Sequence, residues 1–293
     1  LGAGKPPRDT PAQMVANNRR GMRYVLEQRH APCSIELMHT IQRMVTEKTL
    51  QNEADAGRFR DGPVYVVNQR RETIYEAPPA NTVHSSMESL IGWIHEGAQQ
   101  PFIHPILRAA IIHTYFVYVH PYVDGNGRTA RAMFYWYLLK HGYEFFRYFS
   151  ISSIIQETRG RYYKSLKDME DDEADLTYAL LYLAEAVVKA IDVILQRITE
   201  RYRRDLLFAN IRERNLILNE RQMRFLKYLA ISREKRGAMA KYQRDFKVVY
   251  ETARRDLAQL EARGILTKSK EGRRFIYTLS PAFLTTGVQS NPH

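Results

Sequence analysis

Apolar residues recur every three to four positions over most of the first 204 residues, the period of amphipathic α-helices. The segment 33–47 is typical, with Met38, Ile41 and Val45 near one face. Residues 1–15 hold three prolines and little apolar pattern, which predicts an extended arm. The pattern predicts a mainly α chain with helices at residues 13–28, 33–47, 83–96, 105–119, 127–140, 151–158, 160–169 and 175–204.

One stretch breaks this helical period. Val64–Val67 and Thr73–Tyr75 are rich in β-branched and aromatic residues and flank the polar residues 68–72, which predicts a β-hairpin. Pro78 and Pro79 then end the second strand. The chain up to residue 204 is therefore predicted as a helical bundle interrupted by one hairpin.

A second periodic region starts at Asn219, after a predicted linker at 205–218. Helices are predicted around residues 223–229, 239–246 and 250–263, the last ended by Gly264. Ile265–Thr267 and Phe275–Leu279 then alternate as two strands. This predicts a small domain at 219–280, followed by a tail at 281–293.

Composition narrows the class of protein. Of the 293 residues 44% are hydrophobic, which fits a folded chain. No apolar run reaches the roughly 18 residues of a membrane span, and the N-terminus has no signal-peptide pattern, so we predict a cytoplasmic protein that does not bind membranes. The single cysteine, Cys33, excludes an intramolecular disulfide and is predicted to be an inert, buried thiol.

The net charge of +12 is unevenly distributed. Residues 219–280 hold 16 Lys or Arg against 7 Asp or Glu, so most of the excess lies near the C-terminus. The two parts of the chain are therefore expected to have different partners.

The residues with catalytic or ligand-binding potential are concentrated at 120–131, HPYVDGNGRTAR. Gly125 and Gly127 allow a tight turn whose N–H groups converge on an anion, and the apolar helix that follows adds the positive end of its dipole. Arg128 and Arg131 lie three apart and are expected to share a helix face, from which both reach phosphate oxygens.

Asp124 and His120 complete this candidate site. One carboxylate plus substrate phosphates suffices to hold Mg²⁺. An imidazole has an ordinary pKa of about 6.5, so His120 can take a proton from a hydroxyl near neutral pH. Base, metal ligand, anion hole and arginine clamp are the parts that nucleotidyl transfer requires.

The stretch resembles the signature of the Fic family, H-P-F-x-[D/E]-G-N-G-R-x-x-R, whose members mostly transfer AMP from ATP to a protein hydroxyl. Only Tyr122 departs, standing where the signature has Phe, and it is expected to fill the core in the same way. The resemblance covers roughly residues 11–204 and predicts a catalytic domain at 16–204. It implies that His120 is the general base, Asp124 the magnesium ligand, Gly125, Asn126 and Gly127 the anion hole, and Arg128 and Arg131 the clamps on the outer phosphates.

Two further features resemble the family. The hairpin stands where Fic proteins have a flap that holds the target peptide by strand pairing, here near residues 64–77. We favour this interpretation, and a hairpin that only caps the bundle is the alternative. Of Tyr162 and Tyr163, one is expected to wall the nucleotide and the other to pack in the core, and we assign Tyr163 to the nucleotide. The acidic run 170–173 is interpreted as a solvated surface.

The region 219–280 resembles a winged helix-turn-helix domain with residues 252–261 in its recognition helix. For DNA, Tyr250, Glu251, Arg254 and Arg255 are predicted to meet bases or phosphates, and Arg273 with Arg274 on the wing to meet backbone. Winged domains also serve in dimerisation or docking, so DNA contact and a homodimer both stay open.

The resulting fold class is a Fic-type helical bundle with a hairpin flap, followed by a small winged helix-turn-helix domain. The predicted function is AMP transfer from Mg-ATP to a Ser, Thr or Tyr hydroxyl of another protein or of the chain itself. The alternatives are removal of AMP, transfer of a different phosphate-containing group, and a DNA-binding regulator that senses nucleotide without turnover. Retention of both His120 and Asp124 favours the enzyme, because a sensor needs no base.

Many Fic proteins carry an inhibitory helix, S/T-x-x-x-E-G/N, whose glutamate pairs with the second signature arginine, here Arg131. Ser153–Glu157 has the spacing but is followed by Thr158 and lies after the signature. We therefore expect the inhibitory segment upstream of Leu1. In that case replacing its glutamate with glycine should raise AMP transfer.

Overall fold

The computed structural model describes residues 6–67, 73–96, 102–148, 151–172, 175–232, 234–272 and 274–285. The chain divides into two compact units, Leu1–Ile191 and Asp192–His293. Among the helices of the described residues, none is both long enough and apolar enough to span a membrane.

The first unit is helical apart from one hairpin, as its apolar period predicts. α4 covers the predicted residues 105–119, and most other helix ends fall within three residues of the prediction. The helices are α1 (Thr10–Glu27), α2 (Ile35–Thr46), α3 (Val83–His95), α4 (Pro105–Val119), α5 (Asn126–Lys140), α6 (Ile151–Glu157) and α7 (Arg159–Asp171), and α8 (Thr177–Glu213) crosses the boundary between the units.

The core of the first unit is built around α4 and α5, which pack on each other while α1 and α2 pack on α5. Met133, Phe134 and Trp136 of α5 are fully buried, so the helix is apolar on nearly all sides, as a central helix must be. Cys33 is buried as predicted, and burial raises the pKa of its thiol to about 12, so it stays protonated.

Two helix ends correct the prediction. α1 begins at Thr10, inside the predicted arm, because the Asp9 side chain caps it by accepting a hydrogen bond from the Ala12 N–H at 2.8 Å. α8 continues to Glu213, through most of the predicted linker 205–218. The continuation is stabilised by Leu207 and Ile211, which are buried in the core of the second unit.

The hairpin is present. β1 (Tyr65–Val67) pairs antiparallel with β2 (Thr73–Glu76), and an irregularity in the register follows Val66. The predicted turn, 68–72, lies outside the described residues.

The second unit packs helices against a three-stranded sheet in the order β3-β5-β4. β3 was not predicted, because a three-residue strand centred on Gly237 has no apolar alternation to reveal it. Part of the predicted tail forms a helix whose Phe283 is fully buried. The elements are α9 (Glu220–Ile231), β3 (Arg236–Ala238), α10 (Met239–Phe246), α11 (Tyr250–Ala262), β4 (Leu266–Glu271), β5 (Arg274–Leu279) and α12 (Pro281–Thr285).

A buried carboxylate joins the helices of the second unit. Asp256 on α11 is 2% exposed and accepts hydrogen bonds from Tyr242 Oη at 3.0 Å, Arg221 Nε at 2.9 Å and Asn219 Nδ2 at 3.1 Å. These donors lie on α10, on α9 and at the N-cap of α9. The charge is thus compensated within the unit, as a buried ion requires. The helix order and the β4–β5 pair agree with the predicted elements, and the assignment as a winged helix-turn-helix stays a prediction.

Candidate active site

The turn between the two central helices of the first unit carries the signature residues. α4 ends at Val119, and His120 follows in the left-handed region with φ 51° and ψ 58°. A residue with a β-carbon is strained in this conformation, so the surrounding structure must hold it there.

Arg60 supplies that restraint. Its Nε donates to the His120 carbonyl at 2.8 Å, its Nη2 donates to the carbonyls of Pro78 at 2.5 Å and Val119 at 3.3 Å, and its own N–H donates to the Pro121 carbonyl at 2.9 Å. The side chain is 4% exposed. Arg60 is not among the predicted site residues. Its one signal was the unusual Arg58-Phe59-Arg60 cluster before the hairpin.

The His120 imidazole has a defined tautomer. Its Nδ1 lies 3.2 Å from the Val117 carbonyl, and since a carbonyl only accepts, Nδ1 carries the proton and Nε2 is left with a lone pair. Burial lowers the pKa of His120 below its ordinary value, and the Arg60 charge acts in the same direction. The ring is therefore neutral near pH 7, as a general base must be.

Tyr122, two residues after His120, fills the core as predicted. It is fully buried, and its hydroxyl lies 2.9 Å from His39 Nδ1 on α2. The Tyr122 hydroxyl, which the Phe of the signature lacks, thus has a hydrogen-bond partner. Its ring also lies against Phe59, with centroids 5.4 Å apart.

Gly125 is required at its position for two reasons. Its φ is +85°, and a β-carbon there would lie 2.4 Å from Thr46 Cγ2 on α2. α2 and the signature turn are therefore in direct contact, and Gln42 of α2 donates to the Asp124 carbonyl at 3.1 Å.

Asn126 holds the turn with its side chain. Its Oδ1 accepts from the Tyr122 N–H at 2.9 Å, and its Nδ2 donates to the Tyr122 carbonyl at 2.7 Å. These bonds hold the amide within the turn and engage its oxygen and one of its two Nδ2 hydrogens.

The first turn of α5 offers backbone donors. Gly125 gives no side-chain cap, and the N–H groups of Asn126, Gly127 and Arg128 have no acceptor among the described residues. Uncapped N–H groups at the positive end of a helix dipole form an anion site.

The two signature arginines have different surroundings, and their role as clamps on the outer phosphates stays a prediction. Arg128 Nη1 donates to the Val45 carbonyl at 2.7 Å, and Nη2 forms a 2.8 Å ion pair with Asp124. Its side chain is 11% exposed. Arg128 thus joins α5 to α2 and to the turn, and it does not line the adjacent cavity.

Arg131 lines that cavity and forms no hydrogen bond or ion pair with any described residue. Burial lowers its pKa, since the charged form loses water without gaining an anion. A β-carbon on Gly127 would come within 3.2 Å of Arg131 Nη1, so the glycine keeps space beside the guanidinium. Of the cations among the described lining residues, Lys164 and Lys167 are paired with Asp168 and Asp171, so Arg131 is the one left without an ion pair.

The cavity has a volume of about 370 Å³ and is mostly apolar. The hairpin forms one wall through Val66 and Tyr75, and the Tyr75 hydroxyl donates to the Tyr118 carbonyl beside His120. The remaining lining comes from α4, α5 and α7. It comprises Val117, Tyr118, His120, Gly127, Arg131, Tyr162, Tyr163, Lys164, Leu166, Lys167, Met169 and Glu170.

Both tyrosines of the pair line the cavity, and they differ in burial; the assignment of Tyr163 to the nucleotide stays a prediction. Tyr162 is 6% exposed and its hydroxyl lies 3.1 Å from His113 Nε2. Tyr163 is more exposed and accepts a hydrogen bond from Arg159 at 3.2 Å. Glu170 lines the cavity, so this member of the acidic run is not only a solvated surface group.

Asp124 directly precedes the uncapped start of α5. It is half-exposed; Oδ1 accepts from the Gly125 N–H at 2.6 Å and Oδ2 pairs with Arg128. No cluster of three or more His, Cys, Asp or Glu able to hold a metal occurs among the described residues. A single hard oxygen ligand fits Mg²⁺ that takes its other ligands from phosphates and water.

The weak inhibitory match after the signature does not reach the site. Glu157 forms an ion pair with Lys189 at 3.3 Å and is 63% exposed. Among the described residues Glu157 forms no bond to Arg131, and Arg131 has no hydrogen-bonding or ion-pair partner there.

Known proteins resemble the first unit in sequence and fold. Residues 32–138 match the sequence profile of the Fic/DOC family. Over 141 residues the chain is 29% identical to the protein adenylyltransferase Fic of Drosophila mojavensis and 28% identical to that of Drosophila melanogaster. These matches cover 48% of this chain and about a quarter of each relative.

Two crystal structures share the fold at low identity. A Fic family protein from Desulfovibrio desulfuricans gives a TM-score of 0.52 at 16% identity, covering 94% of this chain and 82% of its own. A Fic domain containing signaling protein from Bacteroides thetaiotaomicron gives 0.50 at 17% identity, covering 66% and 73%. At such identities the likeness concerns the fold alone.

Proposed function

We propose that the first unit transfers AMP from Mg-ATP to a hydroxyl of a target protein. The observation that carries this proposal is one cavity lined by a neutral His120 and by the unpaired Arg131, next to the uncapped start of α5. A base and an anion site in one pocket suit attack of a hydroxyl on a phosphate.

The reaction balances with these groups. His120 Nε2 takes the proton of the target hydroxyl, and the oxygen forms a bond to the α-phosphorus. The bond from that phosphorus to the bridging oxygen breaks, and pyrophosphate leaves with the electron pair. Arg131 and the N–H groups of α5 stabilise the phosphate charge.

Bound magnesium would neutralise phosphate charge, and Asp124 is the residue that would hold it. Because Asp124 pairs with Arg128 in the structure, metal binding has to share or replace that contact. The cavity volume and the ring of Tyr163 leave room for a base against an aromatic wall. We place the target peptide along the hairpin, near residues 64–77.

The test uses ATP labelled at the α-phosphate. The full chain should transfer label to protein, itself included, and His120→Ala should lose at least about 100-fold in rate while ATP affinity changes little. His141→Ala is the matched control, because His141 is an exposed histidine just past the end of α5 and outside the cavity. Transfer by His120→Ala at the parent rate would remove His120 from the chemistry.

The same assay separates the alternatives. Label placed at the γ-phosphate that appears on protein would indicate phosphoryl transfer, and release of AMP from a modified protein would indicate the reverse reaction. Tight nucleotide binding without turnover of either label would favour a sensor.

For the second unit we propose nucleic-acid binding through α11. Val249 and Tyr250 at its start are 70% and 52% exposed, unusual for apolar side chains. Arg255 is exposed and makes no hydrogen bond or ion pair with the described residues, whereas Arg254 is tied to Glu251 at 2.6 Å. Arg273 lies outside the described residues, and Arg274 is exposed.

If this proposal holds, duplex DNA binding should weaken steeply with salt. Arg255→Ala should weaken it more than Arg254→Ala, because Arg254 already has a partner. Absence of binding at low salt would exclude DNA and favour a protein-docking role.

A further inference from the structure

The C-terminal end of α4, beside the cavity, is closed in an unusual way. An α-helix leaves its last carbonyls without partners inside the helix, and a left-handed glycine commonly follows and helps to satisfy them. Here His120 occupies the left-handed position. Its N–H donates to the Phe116 carbonyl at 3.1 Å and its ring to that of Val117 at 3.2 Å. The next four carbonyls, 118–121, take their donors from another segment of the chain.

These donors belong to the hairpin and the residues that lead into it. Tyr75 lies on β2, and Arg60 lies five residues before the start of β1. The bonds run from Tyr75 Oη to the Tyr118 carbonyl, and from Arg60 Nη2, Nε and N–H to the carbonyls of Val119 at 3.3 Å, His120 at 2.8 Å and Pro121 at 2.9 Å. Two residues from one region thus hold four consecutive carbonyls around the cavity histidine.

The Arg60 guanidinium also joins the two ends of the hairpin. Its Nη1 donates to the Gly62 carbonyl at 2.9 Å before β1, and its Nη2 donates to the Pro78 carbonyl at 2.5 Å after β2. Four of its five N–H groups are therefore engaged, all with backbone carbonyls. The negative end of the α4 dipole is a favourable place for this cation. Arg60 thus connects the base of the hairpin directly to the end of α4.

We propose that the hairpin positions the general base: Arg60 and Tyr75 hold carbonyls 118–121, which keeps residue 120 in the left-handed conformation with its ring lining the cavity. Without these bonds residue 120 would relax, because a residue with a β-carbon is strained there. Both residues act through His120 and are positioning residues. The inference rests on the proposed function only in calling His120 the base. It gives the hairpin a role besides holding a target peptide or capping the bundle.

The first test reads His120 directly, by nuclear magnetic resonance of the full chain with ¹⁵N-labelled histidine. The His120 signals are those absent from the spectrum of His120→Ala. The parent should show a proton on Nδ1. Arg60→Met should move this proton to Nε2, because the relaxed ring leaves the Val117 carbonyl. It should also raise the pKa of His120 toward about 6.5, since the burial and the positive charge that lower it are both reduced.

Arg108→Met is the matched control. Arg108 is also 4% exposed and lies on α4, but near the start of the helix, where it donates to the Trp93 carbonyl at 2.9 Å. Its loss should cost stability and leave the tautomer and pKa of His120 unchanged. Equal changes of the His120 signals in the two variants would mean a general loosening and would overturn the proposal. Unchanged signals in Arg60→Met, or a parent without the Nδ1 proton, would overturn it as well.

A milder variant covers the case in which Arg60→Met does not fold, as judged by circular dichroism. Arg60→Lys keeps the charge, but an ammonium group cannot span the carbonyls of both the hairpin and α4. The His120 tautomer should therefore still change, while its pKa stays low. A Lys variant with the parent tautomer would overturn the proposal.

The second test separates rate from affinity. Arg60→Met should lower the kcat of AMP transfer about 100-fold, the cost of a misplaced reacting group, because the base no longer meets the hydroxyl. Its ATP affinity should stay within about twofold of the parent, since the phosphates are held elsewhere. The acid limb of its pH profile should move to higher pH, because a base with a raised pKa is protonated over a wider range. Tyr75→Phe removes one of the bonds and should lower kcat about fivefold.

The two tests fail independently. The His120 signals do not depend on turnover, so a parent that transfers no AMP but shows the Arg60-dependent change would overturn the proposed reaction and support the positioning role. A parent that transfers AMP, with Arg60→Met as active as Arg108→Met, would support the reaction and overturn the positioning role.

Discussion

Asp256 in the second unit and Arg131 in the first are both charged side chains largely removed from water, but their surroundings differ. Asp256 accepts hydrogen bonds from three side chains of its own unit. Arg131 has no hydrogen-bonding partner among the described residues and lines a cavity. Since an uncompensated charge away from water is unfavourable, the first arrangement is complete, whereas the second can accept the anionic ligand that we propose.

The comparison teaches how to separate structural from functional charge. A buried ion whose donors all come from the fold stabilises that fold. An unpaired charge beside backbone N–H groups that have no acceptor marks a site where a bound ion can supply the missing partner. Arg128 belongs to the first kind although it stands in the same signature as Arg131.

The largest expected effect concerns Asp256. Asp256→Ala leaves Tyr242 without its buried acceptor and should lower the free energy of unfolding of the second unit by about 3 kcal/mol. Hydrogen exchange at the amides of α9 and α11 measures it. Asp245→Ala is the control, since Asp245 pairs with Lys241 on the surface and should change stability by less than about 1 kcal/mol. Equal losses of stability in the two variants would contradict a structural role for Asp256.

Arg131→Ala should have the opposite profile. We expect ATP binding to weaken by about 2 kcal/mol, roughly 30-fold, with little loss of stability because no partner is left behind. Arg128→Ala should reduce stability as well, since it removes the contacts with Val45 and Asp124. Titration calorimetry measures the ATP affinity of both variants, and thermal unfolding measures their stability. If Arg131→Ala destabilised the chain more than Arg128→Ala, the distinction between the arginines would fail.

A smaller effect is expected for Tyr122→Phe, which restores the family signature. The variant removes a hydroxyl that is already paired with His39, so stability should fall by about 1 kcal/mol while transfer continues. Since His39 is only partly buried, water can replace the lost partner. A gain in stability would show that the Tyr122–His39 contact is unfavourable.

The smallest effect is the response of transfer to pH above neutrality. The pKa of His120 is lowered, so the base is already unprotonated at about pH 7 and the rate should stay nearly flat from there upward. Below its pKa the rate should fall as the imidazole gains a proton. A rise through pH 7 to 8 in the pH profile of kcat/KM would mean that His120 is not the group titrating.

Much of the fold followed from local patterns. The ends of α4 and the hairpin strands were predictable because apolar period and turn residues act over a few neighbouring positions. β3 and the last turns of α8 were missed, because both are stabilised by partners distant in the sequence. Gly237, for instance, lies where a β-carbon would come within 2.7 Å of Phe225.

By itself the sequence determined which chemical groups the site contains and their order, since His120, Asp124, Gly125 and Arg131 follow one another along a single turn and helix. Only the tertiary structure decided how they are used. It directed Arg128 to α2, engaged the Asn126 amide with Tyr122, and placed Arg60 against the His120 carbonyl. The physical reason is that spacing fixes where a side chain starts, whereas the acceptors within its reach come from other elements brought close by folding.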